Sequence, residues 1–283
     1  MAGGAFDIDA CALGVGVTDP SRLCMIAGTW SINEYIGTAP IVDGSVLMNS
    51  LFCLPGCYLM EECSPTSAGN NEWFMKNLLP ELRQECTEKG TSIYEIMNRW
   101  VEEIPADEFC PIYLPFLMAS NVHPNACGSF VGISNFHTRK HLLRSVYEGV
   151  TFSHRYHLEK LLKTRKEPPA SIRLAGGAAR SPIWTQMFAD VMKLPVESVQ
   201  ANETGALGCA VLGAVACGNY SDVKSAAENM CHISQAVMPD AARCAVYDRK
   251  YELYCKTIAA LDKVWDSIQD YKDNAAGQGQ HTS

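Results

Sequence analysis

The chain has 283 residues, of which 47% are hydrophobic and 19% charged, and its formal net charge is −8. This composition is typical of a well-packed soluble globule, and the negative charge argues against a nucleic-acid-binding surface. It leaves nucleotide binding open, because backbone N–H groups can hold phosphates whatever the global charge. No apolar run approaches the roughly 18 residues of a membrane span, so we expect no membrane partner.

Thirteen cysteines are scattered along the chain, and no basic segment followed by an apolar one stands at the N-terminus. We therefore expect a reducing cytoplasm in which most cysteines are small buried hydrophobes. The tightest group, Cys53, Cys57 and Cys63, lacks the paired spacing of zinc ribbons and has no histidine nearby in the sequence. A buried or loop role is favoured there over a metal site, and a cysteine hydrolase built on Cys57 or Cys63 remains an alternative.

In the first half of the chain, residues 2–5 predict the end of a short strand, and "DIDACALGVG" predicts a helix of small residues. The segment "LCMIAGTWSINEYIG" predicts two strands joined by a tight turn at Gly28. Strand-like pieces interrupted by Asp-Gly and Pro-Gly turns follow. The pattern over 68–103 predicts two helices that separate near Gly90, and "CPIYLPFL" predicts a buried strand or loop.

In the second half, "TRKHLLRSVYEGVTFSHRYHLEKLLKTRK" predicts a long amphipathic helix, and "SIRLAGG" predicts a strand that enters a glycine turn. Ser181 and Pro182 are typical of a helix N-cap and first turn. A strand over "LPVESV" and a tight helix over "NETGALGCAVLGAVACG" follow, then helices over 221–235 and 247–270. The alternation predicts one layered α/β domain over 1–270 and a polar, flexible tail over 271–283.

The stretch "LAGGAARSPIW" carries the strongest chemical signal. Gly176 and Gly177 have no side chains, so a ligand can approach their backbone N–H groups, and the following helix adds the positive end of its dipole. This arrangement suits a phosphate. An ordinary strand-turn-helix corner is the alternative, since the stretch matches neither a P-loop nor a dinucleotide-binding fingerprint.

Two further stretches are candidates. In "MIAGTWSIN", Gly28 and Thr29 at the tip of the hairpin offer an amide and a hydroxyl to a phosphate, with a plain hairpin as the alternative. In "AGGAFDID", Asp7 stands where a helix begins, and its carboxylate could accept a proton from a substrate hydroxyl. The alternative for Asp7 is a helix-capping role, and Asp9 competes with it but points elsewhere.

Taken together, these motifs resemble one family. The order "AGG-x-x-D…LG-x-G", "GTW", a helix motif and "GGAARSP-x-W" is similar to that of the FGGY carbohydrate kinases, over nearly the whole chain to about residue 270. Two segments, "GTWSINEYI" and "FDIDACAL", most resemble the L-xylulose kinase branch. The family's second signature fits at Gly128, Phe130, Gly132, Ile133, His141, Leu142, Ser145, Val146, Tyr147 and Glu148.

The resemblance implies a ribonuclease-H-like, actin-type ATPase domain, with a mixed sheet flanked by helices and the active site between two lobes. Asp7 matches the catalytic base that takes the proton from the attacking sugar hydroxyl. The remaining matches concern the nucleotide: Gly28 and Thr29 correspond to the phosphate-contacting hairpin, and Ser181 to a polar residue near adenine. The turn that lies along the nucleotide phosphates corresponds to Gly176, Gly177 and Ala178.

The implied activity is phosphorylation of a ketose, L-xylulose or a related pentulose, with ATP and Mg²⁺; no residue of this chain is assigned to a metal. Family members are about twice as long, so we expect this chain to be the C-terminal lobe, inactive without an N-terminal lobe supplied in cis or in trans. The alternative is a non-catalytic remnant that binds nucleotide or forms a homodimer. Ala126-Cys127 and Trp30 depart from the usual motifs, which puts the identity of the sugar in doubt.

Overall fold

The structure, a computed structural model, describes residues 4–279. In chain order its elements are α1 (Asp7–Gly14), β1 (Arg22–Ala27), β2 (Ser31–Gly37), β3 (Met48–Leu51), β4 (Tyr58–Ser64), α2 (Gly69–Leu78), α3 (Pro80–Lys89), α4 (Ile93–Glu102), β5 (Ile112–Leu114), β6 (Ser129–Val131), α5 (Arg139–Leu162), β7 (Ser171–Gly176), α6 (Pro182–Met192), β8 (Val196–Val199), α7 (Thr204–Ala216), α8 (Val223–Met230), β9 (Ile233–Val237), α9 (Ala241–Leu261) and α10 (Trp265–Gly279). Short 3₁₀ turns lie at Gly177–Arg180 and Asp262–Val264.

Among the described residues, a seven-stranded mixed sheet forms the centre, in the order β3-β4-β2-β1-β7-β8-β9. β7 pairs in parallel with both β1 and β8, whereas the remaining neighbours in this sheet are antiparallel. β5 and β6 form a separate small hairpin sheet. The expectation of a mixed sheet flanked by helices is confirmed.

One face of the sheet carries α1, α7 and α8. A Cβ atom placed on Gly208 would overlap the backbone carbonyl of Ala10, and one placed on Gly14 would overlap that of Thr204. The backbones of α1 and α7 are therefore in direct contact. This closeness explains why both helices are built from small residues, and Leu13 and Val211 fill the core beneath them.

The other face carries α5, with α6, α9 and the α2–α4 segment around it. The predicted apolar stripe of α5 is confirmed: its fully buried members are Leu143, Val146, Tyr147, Val150, Leu158 and Leu161. α5 begins at a capping box in which the Thr138 and His141 side chains each bond to the other's backbone. Its buried Arg144–Glu148 ion pair extends to Lys250 of α9, which ties the two helices together.

Between residues 68 and 103 the prediction of two helices is wrong, because three are present. Pro80 separates α2 from α3: it has no backbone N–H to continue the first helix, and it occupies the first turn of the second. The break at Gly90 was expected and ends α3 in a left-handed conformation. α4 follows and buries Met97 and Val101.

The elements after α7 also differ from the prediction. The predicted helix over 221–235 ends at Met230, and Ile233–Val237 forms an edge strand that pairs antiparallel to β8. α9 begins earlier than expected, at Ala241, because the Asp240 side chain accepts a hydrogen bond from the Arg243 backbone N–H and caps the helix.

The two chain ends were predicted as a strand and a polar tail. Residues 2–3 of the predicted strand lie outside the described residues, and Gly4 and Ala5 belong to no strand, because the chain enters α1 without a pairing partner there. Helix α10 continues through Gly279, and residues 280–283 of the predicted tail lie outside the description. Across residues 4–279 no helix combines the length and hydropathy needed to cross a bilayer.

Candidate active site

The two predicted phosphate turns lie side by side at the carboxyl ends of β1 and β7, two neighbouring parallel strands in the interior of the sheet. Ala27 at the end of β1 stands opposite Gly176 at the end of β7. Gly176 has a φ of 84°, and a Cβ atom there would lie 2.5 Å from the Ala27 carbonyl oxygen and 2.9 Å from the Gly28 nitrogen. Only glycine fits both the conformation and the contact. Glycine is therefore required at position 176 because the two turns pack against each other there.

Asp7, Gly28 and Thr29 line one cavity of about 600 Å³, which we call the Asp7 cavity. Asp7 is the first residue of α1 rather than its cap; Phe6 holds the cap position without a side-chain bond. The Asp7 side chain is exposed, and its Oδ1 accepts a hydrogen bond from the Ile8 backbone N–H at 2.9 Å. An exposed carboxylate beside a hydroxyl-bearing turn is placed to accept a proton from a ligand in this cavity.

Three buried carboxyl groups lie near the Asp7 cavity. Glu61 lines the cavity and stands opposite Glu34 on the neighbouring strand, while Asp9 accepts a hydrogen bond from Ser50 at 3.1 Å. Burial raises the pKa of all three, most strongly for Glu34, whose two carboxyl oxygens have no partner within the described structure. Burial thus favours the protonated form of these three carboxyl groups.

A buried hydrogen-bond chain supports the Thr29 turn. The Thr29 carbonyl accepts a bond from the Ser67 backbone N–H at 2.9 Å, and the Ser67 hydroxyl lies 2.9 Å from His154 Nε2. Burial lowers the pKa of His154 to about 3, so its ring is neutral. Its Nδ1–H donates to Asn33 Oδ1, because the Asn33 amide nitrogen is already donating to the Glu62 carbonyl. His154 Nε2 therefore accepts the Ser67 proton.

A second cavity of about 490 Å³ is lined by Gly177, the residue that follows Gly176, and we call it the amide cavity. Gly177 contributes a wall without a side chain, and nothing stands within 4 Å of the position that its Cβ would take. The other side chains lining it come from α2, α4, α5 and the start of α6, and they include Asn71, Glu72, Tyr94, Asn98, Tyr147, Arg180, Ser181 and Trp184.

Ser181 is the N-cap of α6, as its local sequence indicates. Its hydroxyl oxygen accepts a hydrogen bond from the Trp184 backbone N–H at 3.2 Å and donates its proton to Asn98 Oδ1 at 2.8 Å. Tyr147, which lies beside both Asn71 and Asn98, donates its hydroxyl to the same oxygen at 3.1 Å. Ser181 thus shapes the cavity by fixing the orientation of Asn98, and its own hydrogen bonds are satisfied by the protein.

The structure gives the other motif residues different positions. Ala178 is fully buried and lines neither of the two cavities, so it can meet a ligand only through its backbone. The second family signature is largely structural: His141 caps α5, and Glu148 holds Arg144 and Lys250 in the core. Tyr147 is the signature residue that lines the amide cavity.

The cysteine alternatives find no support in the described part of the chain. All thirteen cysteines are free. Burial raises the pKa of Cys63 to about 12, which opposes formation of a nucleophilic thiolate. Over residues 4–279, no group of three or more His, Cys, Asp or Glu side chains is arranged to hold a metal ion.

The fold is that of one half of solved sugar kinases. The xylulose kinase from Rhodospirillum rubrum superimposes with a TM-score of 0.79 at 26% identity, over 93% of this chain and 52% of that protein. The predicted ribonuclease-H-like, actin-type fold is confirmed. The model of the FGGY family of carbohydrate kinases, C-terminal domain, matches residues 23–217, and the chain belongs to that family.

Two curated relatives align with nearly the whole chain. The L-xylulose/3-keto-L-gulonate kinase of Escherichia coli (strain K12) is 33% identical over 273 residues, which are 96% of this chain and 52% of that kinase. A probable L-xylulose kinase of Pasteurella multocida is 34% identical over 268 residues, or 92% and 50% of the two chains. The chain thus spans about half the length of the curated relatives it matches.

Sequence motifs did not point to Asn71, Tyr94 or Asn98, which lie on helices without a recognisable signature. The one available signal is the spacing of four between Tyr94 and Asn98, which puts both on one face of α4 beside its buried stripe. That pattern also fits an ordinary solvated helix edge. Only the docking of α4 against α5 and α6 turns this face into a cavity wall.

Proposed function

We propose that this chain is the nucleotide-side half of an ATP-dependent kinase that phosphorylates a ketose, L-xylulose or a related pentulose. The observation that carries the proposal is the contact between Gly176 and the Ala27–Gly28 turn, because Gly28 lines the Asp7 cavity and Gly177, the residue after Gly176, lines the amide cavity. A nucleotide base in the amide cavity would then direct its phosphates past both turns toward Asp7. The names of the two curated relatives support the sugar assignment.

In this proposal Asp7 is the general base, because its carboxylate is exposed and faces the cavity that contains Thr29. The nucleotide phosphates would lie along the backbone of both turns, at Gly28, Thr29, Gly176, Gly177 and Ala178. Ser181 would act near adenine through its bond to Asn98 rather than by direct contact. Phosphoryl transfer depends mainly on positioning and on electrostatic stabilisation, which rigid turns can supply.

Mg²⁺ commonly accompanies nucleotide phosphates in kinases and supplies charge neutralisation during transfer. The described residues offer no cluster of three acidic or other metal-binding side chains. We therefore assign no residue of this chain to the metal and derive no step from it.

The walls of the Asp7 cavity suggest a covering partner. Phe6, Trp30 and Leu47 line it and are 51%, 50% and 53% exposed, which is unusual for large apolar side chains around one cavity. We propose that the half of the kinase relatives outside this alignment covers them and completes the sugar site. A non-catalytic, nucleotide-binding remnant in which a second copy covers the same residues is the alternative.

We also propose a reducing, cytoplasmic location. Free thiols at all thirteen cysteines of the chain support it, since disulfides form and persist in oxidising compartments.

Calorimetry with Mg-ADP tests the nucleotide assignment, and a coupled assay with L-xylulose and ATP tests the need for a partner. We expect weak but measurable nucleotide binding and negligible turnover by the chain alone. No heat at millimolar Mg-ADP would favour the remnant. Turnover at ordinary kinase rates by the chain alone would contradict the requirement for a covering half.

The role of Asp7 needs a complete site. Mixing the chain with the half of the E. coli kinase that it does not span supplies one, and Asp7→Asn should then reduce turnover by about 10²- to 10⁴-fold. Mg-ADP affinity and thermal stability should stay unchanged, because Asp7 is exposed and its principal bond is to the neighbouring N–H. Retained turnover in Asp7→Asn would exclude it as the base.

A further inference from the structure

Asn98 presents a fixed hydrogen-bond donor to the amide cavity. Its Oδ1 already accepts two hydroxyl protons, from Ser181 at 2.8 Å and from Tyr147 at 3.1 Å. These two donors determine which end of the amide is the oxygen, because its NH₂ group could not accept them. Within the described structure no acceptor is bonded to this NH₂ group, so it is free to donate to a ligand.

Asn71, on α2, lines the same cavity and lies beside the same Tyr147 hydroxyl as Asn98, and its side chain has complementary chemistry. Its side chain is 5% exposed, and its Oδ1 is buried without a hydrogen-bond partner in the described part of the chain. A buried amide oxygen without a donor is costly, and a donor on a ligand would relieve that cost. The cavity therefore offers one donor, from Asn98, and one unsatisfied acceptor, from Asn71.

The shape of the cavity suits a flat ligand. Tyr94 is 47% exposed, and its hydroxyl donates to the Glu72 carboxylate, which holds the ring at the cavity wall. Gly177 leaves the wall next to the phosphate turn without a side chain, and the planar guanidinium of Arg180 lies at the rim. Aromatic rings and guanidinium planes are the surfaces on which nucleobases stack.

We propose that Asn98 and Asn71 recognise the edge of adenine: the Asn98 NH₂ group donates to a ring nitrogen, and Asn71 Oδ1 accepts from the 6-amino group. Adenine presents an acceptor next to an amino donor, the pattern that the two amides match. A 6-oxo purine places a carbonyl oxygen where the amino group stands, so at least one of the two bonds is lost. This inference rests on the proposed nucleotide-binding function and adds base selectivity to it.

Calorimetry with Mg-ADP, Mg-IDP and Mg-pyrophosphate tests the assignment on the full chain. We expect ADP to bind about 10-fold more tightly than IDP. Asn98→Asp keeps acceptors for Ser181 and Tyr147 but removes the NH₂ donor, so ADP affinity should fall about 10-fold more than IDP affinity, whereas repulsion between the added charge and the phosphates lowers both alike. Asn77→Asp, an equal charge change on the exposed face of α2, should leave all three unchanged.

Asn71→Leu is a second test that leaves both hydroxyl donors of Asn98 in place. It removes the unpartnered oxygen together with the amide contact to the Tyr147 hydroxyl, so we expect the two effects to offset each other and thermal stability to change little. ADP affinity should fall toward that of IDP, with IDP and pyrophosphate unaffected. This variant decides the question if Asn98→Asp is too unstable to titrate.

The outcomes are distinguishable. If the wild-type chain binds none of the three probes, the proposed nucleotide-binding function fails and the inference fails with it. If ADP binds but IDP binds equally well, or if Asn98→Asp and Asn71→Leu retain the wild-type ratio of ADP to IDP affinity, the base assignment is overturned and nucleotide binding stands.

Discussion

The Asp7 cavity and the amide cavity lie beside the same pair of turns, but this chain encloses them to different extents. The walls of the amide cavity are helices that are connected by the hydrogen bonds from Ser181 and Tyr147 to Asn98. The Asp7 cavity is bordered by exposed apolar side chains, including Trp30, with protonation-prone carboxyls beneath. The difference supports the proposal that this chain forms the nucleotide-base site by itself and that a partner covers the Asp7 cavity.

The largest expected effect tests the contact that joins the two cavities. Gly176→Ala forces a side chain into a left-handed conformation and against the Ala27 carbonyl, and should lower stability by roughly 2–5 kcal/mol. Gly177→Ala is the matched control, because its Cβ meets open space and its conformation is ordinary. Equal melting temperatures for the two variants in thermal unfolding would show that the turns are not held together by this contact.

A second substitution tests the support of the Thr29 turn. Ser67→Ala leaves His154 Nε2 as a buried acceptor without a donor, which should cost about 1–3 kcal/mol in urea unfolding. Ser64→Ala is the control, since that buried hydroxyl has no partner among residues 4–279 and its loss should be neutral or stabilising. A similar small effect for both would mean that the His154 chain does not stabilise the Asp7 cavity.

The pH dependence of stability tests the buried carboxyls beneath the Asp7 cavity. The pKa of Glu34 is raised in the folded state, so above the ordinary range of glutamate the folded chain holds a proton that the unfolded chain releases. Stability should therefore fall as pH rises from about 4.5 through the raised pKa. Glu34→Gln should remove this loss, making the variant more stable than wild type at pH 8 by an amount that shrinks toward pH 4.5.

The control for Glu34→Gln is Glu81→Gln, an exposed position on α3 that should leave the pH profile unchanged. Denaturant unfolding at several pH values between 4.5 and 8 gives both curves. A constant difference between wild type and Glu34→Gln across this range would contradict a titrating group at that position.

The smallest expected effect concerns the rim of the amide cavity. Arg180 pairs with Glu203 at 3.1 Å, but both side chains are largely exposed, so water screens the interaction. Arg180→Ala should change stability by less than about 1 kcal/mol in thermal unfolding. A larger loss would mean that the rim, and not only the buried amide network, holds this cavity together.

The sequence predicts the turns and the central strands well because glycine and hydrophobic periodicity act locally. Gly28, Gly176 and Ser181 take the local structures that their neighbours indicate. Ile233–Val237 was misjudged because edge pairing with β8 overrides a weak helical pattern. The sequence does not identify Asn71 and Asn98 as site residues because they lie on separate helices, α2 and α4, and face one cavity only after these helices have packed. No short sequence motif contains both residues.

The glycine contact between α1 and α7 has a consequence for Asp7. The Gly208 position touches the Ala10 carbonyl, one turn along the helix that begins with Asp7. A side chain added at position 208 would therefore displace the whole of α1, including the Asp7 carboxylate at its first position. Gly208, which lines neither of the two cavities, thus fixes the position of the proposed proton acceptor, and a single methyl group added there would push α1 away from α7.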